Sequence, residues 1–476
     1  MTVGKINISA TLKSVEALLL EAKTSSPQVR AMLELLIVVI NLLVGKLGLN
    51  SSNSSTPPSK DPKRKRGSKR ATAGKKRKPG GQNGHVGSTL KRNEHPDLIE
   101  VLEVDRRTIP KGTYTHVGFE SRQVIEIEIL TKVTEYQAEI LQDAKGNQYI
   151  ATFPDGVTKA VQYGTSVKSQ SVYMSQQQLL PYDRIRDYFS DQCKIPISAG
   201  SLYNFNKAAY QSLENFEILV KSRLISQELL NVDETGINVN GKTIWLHTVG
   251  NDKLTYFYPH EKRGFLAMED IGVLKHFTGI LCHDHWKPYF KYKCLHALCN
   301  AHHVRELERS CEQDGQKWAR KMQELLLEIN KAVDDAGGCL SKSDAVAMRN
   351  RYRTILKNGN RECPATAPDT GNKRRGRVAQ SKSRNLLERL RDFETETLRF
   401  MTNKLVPFTN NQGENDIRMT KVQQKISGCF RALDGAKIFC RIRSYLSTCR
   451  KNGVQPTEAL KILFAGQLPD FIVKLE

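Results

Sequence analysis

Three carboxylates far apart in the chain sit where they could do chemistry together: Asp233, Asp284 and Glu414. Asp233 follows the apolar run of LLNVDETGI (229–237), and Asp284 follows that of GILCHDHW (279–286). Glu414 lies in PFTNNQGENDIR (407–418), which opens a helical pattern. Two strand ends and a helix carrying carboxylates are the ingredients of a divalent-cation site for phosphoryl transfer. Hard cations such as Mg2+ take oxygen ligands, usually one or two carboxylates completed by substrate phosphate. A pair of such ions can clamp the attacking and leaving oxygens of an in-line displacement. A lone Asp at a strand end is more often a turn or capping residue, so the weight falls on the sequences around the three.

The elements that must position them can be read next. Residues 226–305 form the first part of an α/β core. LLNVDETGINV, KTIWLHTVG and KLTYFYPH are successive strand patterns with Asn-Gly (240–241) and Asn-Asp (251–252) turns between them. A helix pattern follows from Gly264, then the buried strand ending in Asp284, a short helix, and CLHALCNA as a fifth strand. Residues 306–404 interrupt the core. Trp318, Met322, Leu325, Leu326 and Ile329, and later Leu386, Leu387, Leu390 and Phe393, keep a helical period. Between them NKRRGRVAQSKSR, with Arg374 and Arg375, is a basic loop suited to DNA. Residues 405–476 return to the core. Thr409 to Asn411 can cap the helix of Glu414, and Glu414, Arg418, Lys421 and Lys425 step by four, three and four, so they share one face. That face is either an active-site wall whose cations extend toward phosphates or a solvated charged surface.

The N-terminal half holds four further segments. In residues 1–49, Val29, Leu33, Leu36, Ile40, Leu43 and Leu47 alternate steps of four and three, a heptad seam that predicts a dimerising coiled coil. Residues 50–92 are a polar, Pro-containing linker that should be disordered. The linker carries Lys63, Arg64, Lys65, Arg66, Lys75, Lys76, Arg77 and Lys78. Such a block supplies non-specific, salt-sensitive affinity for nucleic acid by releasing counterions. Residues 93–162 suggest a small β-rich module with strands at VIEIEIL and QYIATF. Residues 163–225 read as helices at 169–180 and 182–192 and a longer one capped by Ser198. They are either a helix-turn-helix that reads DNA or a packed helical spacer.

Composition sets the class. The chain has 476 residues, a formal net charge of +23 and 39% hydrophobic residues, enough for about three domains. The charge points to a polyanionic partner, and its clustering favours nucleic acid over a membrane. Ten cysteines without a regular framework fit reduced thiols in a cytosol. LLIVVINLLV (35–44) is too short to span a bilayer, and no signal peptide or membrane segment is expected.

VDETG, HDHWKPY, CNAHHVREL, VPFTNNQGENDIR, KVQQKISGCFR and KNGVQP occur in that order, with LGLNSSNSSTPPS and RKPGGQNGHVG near the start. Together they resemble the transposases of the insertion sequence 66 family. The resemblance implies a DDE transposase with an RNase H-like core: a mixed five-stranded sheet with helices, interrupted by a helical insertion. Asp233, Asp284 and Glu414 would be its triad on two Mg2+ or Mn2+ ions. Its partners would be double-stranded DNA, at the element's terminal inverted repeats and at the target. A homodimer or higher oligomer and accessory proteins of the same element are also implied, as is action at the bacterial nucleoid in the cytoplasm. One strand is hydrolysed at the element's end and the freed 3′-hydroxyl attacks target DNA, so no covalent enzyme intermediate is needed.

The family often carries a zinc-ribbon-like module where residues 93–162 stand, but no cysteine occurs before Cys193. A structural zinc site needs about four Cys or His ligands, so a metal-free remnant is expected. Cys294, His296, Cys299, His302 and His303 lack paired-ligand spacing, and no zinc is expected there either. Cys299 and His302 do resemble a C-x-x-H feature of several DDE transposases, which would make Cys299, His302 and Arg305 auxiliaries to the triad. Two alternatives stay open: a catalytically inactive or repurposed transposase-derived DNA-binding protein, and an RNase H-like nuclease.

Overall fold

A computed structural model describes residues 27–47, 49–54, 61, 90–366 and 378–473, with a few isolated positions before residue 16. At its centre is one mixed sheet. Strands β1 (Leu229–Val239) and β2 (Lys242–Gly250) form an antiparallel hairpin. Asn240 and Gly241 join them at φ of 48° and 78°, the pair of left-handed residues that a tight type I′ turn requires. Strand β3 (Thr255–His260) pairs antiparallel with β2, while β4 (Ile280–His283) and β5 (Leu295–Leu298) add in parallel on the other side of β1. The order is β3-β2-β1-β4-β5.

Register decides where the carboxylates go. The parallel pairing of β1 with β4 ends at Asn231 opposite Cys282, while β1 runs on against β2 as far as Val239. The two strands therefore part just before Asp233 and at Asp284, leaving a cleft of the kind in which open α/β sheets bind ligands. Asp233 is thus not at a strand end, as the apolar run suggests. It is the fifth of eleven residues in β1, and what ends before it is the pairing. Gly279 allows β4 to start close beside the chain entering β1. A Cβ there would stand 2.6 Å from Glu228 O and 2.7 Å from Gln227 O, which no side chain tolerates.

Helices cover both faces. On one side, α2 (Thr165–Val172, continued by a π turn over Tyr173–Gln177), α3 (Tyr182–Cys193), α4 (Ala199–Ser212) and α5 (Glu214–Ile225) lie upstream of the sheet in sequence. Their apolar residues share a single core with Leu230, Val232 and Tyr256 of the sheet. Tyr445 of α13 (Leu433–Lys451) and Leu460 of α14 (Pro456–Phe464) belong to it too. Ser198 caps α4 by accepting from Ser201 N at 3.0 Å. The expected long third helix is broken at Leu213, which is fully buried. Helix α6 (Phe265–Ile271) lies between β3 and β4.

On the other side, α7 (Asn300–Asp314), α8 (Lys317–Asp335), α9 (Lys342–Glu362), α10 (Lys382–Asp392) and α11 (Glu394–Leu398) form a helical layer. Trp318, Leu326, Tyr352, Leu387 and Leu390 pack with Ile280, Cys282 and Ala297 of the sheet. Helix α12 (Asn411–Ser427) then lies along the extended half of β1, with Ile417 packed near Ile237, Val239 and Leu246.

Two N-terminal segments contribute little to these cores. Helix α1 (Pro27–Leu47) leaves Val29, Leu33, Leu36, Leu43 and Leu47 exposed. Within 93–162 the one ladder among the described residues joins Ile140–Gln142 to Gln148–Ile150. Residues 124–130, read as a strand, carry no regular secondary structure and expose Val124, Ile125, Ile127 and Leu130. The alternation is present there, but among the described residues no apolar surface covers it. Among the described residues no helix is long and apolar enough to cross a membrane.

Candidate active site

Alternation along a strand sends successive side chains to opposite faces. Leu229 packs with the α8–α10 layer while Leu230 and Val232 join the α2–α5 core. Asp233 therefore shares the face of Leu229, and Asp284, one residue past β4, follows Ile280 and Cys282 to that same face. The carboxylates interact. Burial pushes the Asp233 carboxyl up to about 7, and Glu234, Asp284 and Glu414 push it in the same direction. Burial also raises Asp284, while its bond from Trp286 N (3.0 Å) and the cations Arg263 and Arg389 act against the rise. Glu414 Oε1 is shielded from solvent and has no hydrogen-bond partner among the described residues. Charges that repel in a buried cleft, one of them with an orphaned oxygen, form a donor set suited to cations.

Glu234, one residue past Asp233, was not singled out from the sequence. It accepts from Tyr289 at 2.6 Å and from Arg263 Nε and Nη2 at 3.0 and 2.7 Å. The Arg263 guanidinium is also sandwiched between Trp245 and Trp286, at 4.7 and 4.4 Å from their ring centres. Burial raises Glu234, and these donors oppose the rise. The network pins the backbone on both sides of the cleft, since Trp286 follows Asp284 by two residues.

Helix α12 is fastened to the same place. Asn410, its N-cap residue, donates through Nδ2 to Val232 O and accepts through Oδ1 from Asn231 Nδ2, both at 2.8 Å. Its own N–H donates to Cys299 Sγ at 3.2 Å. On the far side of the helix, Asp416 pairs with Lys451 at 2.7 Å in a largely buried contact.

The cysteine and histidine candidates separate. Cys294 is buried in the α2–α5 core. His296 Nδ1 meets His283 Nε2 at 3.0 Å, and His303 meets Asn300 Oδ1 at 3.0 Å. Cys299 and His302 instead face Glu414, and the ligand atoms of these three all lie within 4.8 Å of one another. They are the one such group among the described residues. Burial pushes His302 down to about 4, helped by Arg305 and Arg389, so its ring is neutral near pH 7. Burial raises the Cys299 thiol.

Residues 160–438 match the model of the family described as "Transposase IS66 family". The chain belongs to the IS66 transposase family. A family of unknown function matches residues 11–91, and no curated protein matches the chain. Membership carries a transposase role, and with it DNA as partner.

For this IS66-family chain the expected DNA contacts fall into two sets. Lys63, Arg64, Lys65, Arg66, Lys75, Lys76, Arg77, Lys78, Arg374 and Arg375 lie outside the described residues. Arg418 and Lys425 are exposed on α12. Lys421, also exposed, donates its ammonium to Gly236 O of β1 at 2.6 Å, so part of its charge is spent within the protein.

Proposed function

We propose that the chain is a DDE transposase with an RNase H-like core. Asp233, Asp284 and Glu414 would hold two divalent cations, Mg2+ or Mn2+, for DNA strand cleavage and strand transfer. What supports this reading is that Asp233, beside the point where β1 and β4 part, feels the charges of both Asp284 and Glu414. Three antiparallel strands followed by two parallel ones support the RNase H-like assignment. Cations bound there supply Lewis-acid stabilisation to the attacking and leaving oxygens of an in-line displacement at phosphorus.

The rest is done by the protein's own groups. Asn410 and the Glu234–Tyr289–Arg263 network hold the two strands and the helix in register, so that the carboxylates need not reorganise. The neutral His302, with its Nδ1 free of any partner among the described residues, can orient a water or hydroxyl beside Glu414. Arg305 adds positive charge to that side. The exposed seam of α1 is assigned to a second copy of the same helix, because its heptad spacing is self-complementary. Such a dimer would hold two element ends at once.

A second reading of the metal content rests on Cys299, His302 and Glu414, a thiol–imidazole–carboxylate set suited to zinc. Zinc there would remove Glu414 from the triad. The thiol already accepts from Asn410 and burial favours its protonated form, so the carboxylate reading is preferred. Metal analysis of the purified full chain separates the two.

The deciding experiment mixes the full chain with Mg2+ and a duplex carrying the terminal repeat of its own element. Joined products are expected. Cut products alone would mean a nuclease, and binding alone a repurposed DNA-binding protein. Asp284→Asn should abolish cleavage and leave binding largely intact.

A further inference from the structure

Arg389 reaches the cleft from outside the sheet, on α10 of the inserted helical layer. The helix is firmly anchored. Leu386, Leu387 and Leu390 are buried in the layer's core, Tyr352 Oη donates to Leu390 O at 2.7 Å, and Ser383 Oγ donates to Asp314 at 2.5 Å. One turn beyond Arg389, Phe393 packs on His285 and Phe290 with ring centres 4.4 and 4.7 Å apart. The end of α10 is thereby pressed against the segment that carries Asp284. Arg389 pairs with Glu306 of α7 and acts electrostatically on Asp284, His285 and His302.

This cation is incompletely satisfied. Its Nε is shielded from solvent and has no partner among the described residues, and the same holds for His285 Nε2 and His302 Nδ1. Buried polar atoms are nearly always paired, and burying a charge without full pairing is costly. An orphaned guanidinium nitrogen and two orphaned imidazole nitrogens near it, beside a carboxylate cleft, describe a place for an anion that brings its own acceptors. The side chain keeps 24% of its surface exposed, so the place is open from outside. An Arg fork matches phosphate oxygens in pairs. Glu306, 45% exposed, is the internal anion such a ligand would displace.

We propose that Arg389 binds the scissile DNA phosphate, exchanging Glu306 for it when DNA enters. The inserted layer thereby completes a site that the sheet alone leaves half built. The inference rests on the transposase reading and names a phosphate contact within it.

The test uses the full chain with Ca2+ in place of Mg2+, so that binding is read without turnover. Two duplexes carry the element's terminal sequence, one with a normal scissile phosphate and one with an uncharged methylphosphonate there. Arg389→Gln should weaken binding of the normal duplex about tenfold, the scale of a lost charge-assisted hydrogen bond. It should leave the methylphosphonate duplex unaffected. Arg389→Lys should lose less, because the charge remains. Glu306→Gln should tighten the normal duplex, since it removes the competing anion. Equal losses on both duplexes, or Glu306→Gln behaving like Arg389→Gln, would show that the arginine merely ties α10 to α7. Wild-type cleavage of the normal duplex in Mg2+ is the control. If it is absent, the transposase reading fails; if it is present without the coupling, only the role of Arg389 fails.

Discussion

The side-chain amide of Asn410 donates to the carbonyl of Val232 at 2.8 Å, joining the cap of the Glu414 helix to the residue before Asp233. The same side chain accepts from Asn231, also at 2.8 Å, so it bonds on both sides of one strand residue. The helix of Glu414 and the strand of Asp233 are therefore joined by a single buried amide. Asn410→Ala would leave Val232 O and Asn231 Nδ2 buried without partners, a cost of about 2–4 kcal/mol. The expected outcome is a lower melting temperature together with loss of cleavage, while the Asp284→Asn variant loses cleavage alone. An unchanged melting temperature would mean that the helix is held elsewhere, for instance by Asp416 and Lys451.

The raised Asp233 carboxyl has a consequence for stability. An unfolded Asp titrates near 3.8, whereas burial and three neighbouring carboxylates push the folded one to about 7. Between those values the folded protein binds more protons than the unfolded chain. Stability is therefore highest where the carboxyl is protonated and falls as pH rises through that window. For metal-free protein the loss is on the order of a few kcal/mol from this group. Thermal melting from pH 4 to 8 in chelator should show the decline, and Asp233→Asn should flatten it. Mg2+ should restore stability at the alkaline end. A profile that is the same in Asp233→Asn would assign the slope to other groups.

Much of this was legible in the sequence, for identifiable reasons. The Asn-Gly turn fixes two positive φ angles, so the β1–β2 hairpin follows from local chemistry. Ser198 caps its helix as its position before a helical period requires. Asp233, within β1, and Asp284, one residue past β4, fall on one face by countable alternation. Other features depend on contacts between distant segments and leave no local mark. Glu234 looks like any acidic residue beside a turn until Tyr289 and Arg263 close on it. Arg389 sits among other charged residues in LLERLRDFE, and only packing of α10 turns it toward the cleft. The strand pattern at 124–130 misled for the converse reason. Alternation specifies a strand only when another strand or an apolar layer is there to receive it.

Helix α1 supplies the next expectation. Val29, Leu33, Leu36, Leu43 and Leu47 are each between 39% and 53% exposed, a line of large apolar side chains that a lone helix would leave in water. A second copy in parallel register would bury them at about 25 cal/mol for each Å2 removed from solvent. Replacing Leu36 and Leu43 by Lys should lower the mass measured by light scattering, and an unchanged mass would refute the seam. If the proposed dimer holds two element ends, the variant should also lose paired-end products before it loses single-end cleavage.

The last expectation separates two lysines on one helix face. Lys421 donates to Gly236 O at 2.6 Å and so helps hold α12 against the β1–β2 hairpin. Lys425, one turn further on, is exposed and lies about 16 Å along the helix from Glu414 at 1.5 Å rise per residue. Phosphates recur every ~3.4 Å along a DNA strand, so with the scissile phosphate at Glu414, as proposed, Lys425 would lie level with flanking nucleotides. A lysine is a flexible point charge, suited to a phosphate and unsuited to reading a base. Lys425→Ala should therefore weaken binding to all duplexes alike and reduce the slope of log affinity against log salt by about one. Lys421→Ala should chiefly lower the melting temperature, by the worth of one charged hydrogen bond, about 1.5–3 kcal/mol at most. If the salt slope is unaltered in Lys425→Ala and falls in Lys421→Ala, the Gly236 bond opens on DNA binding, and it is Lys421 that follows the phosphates.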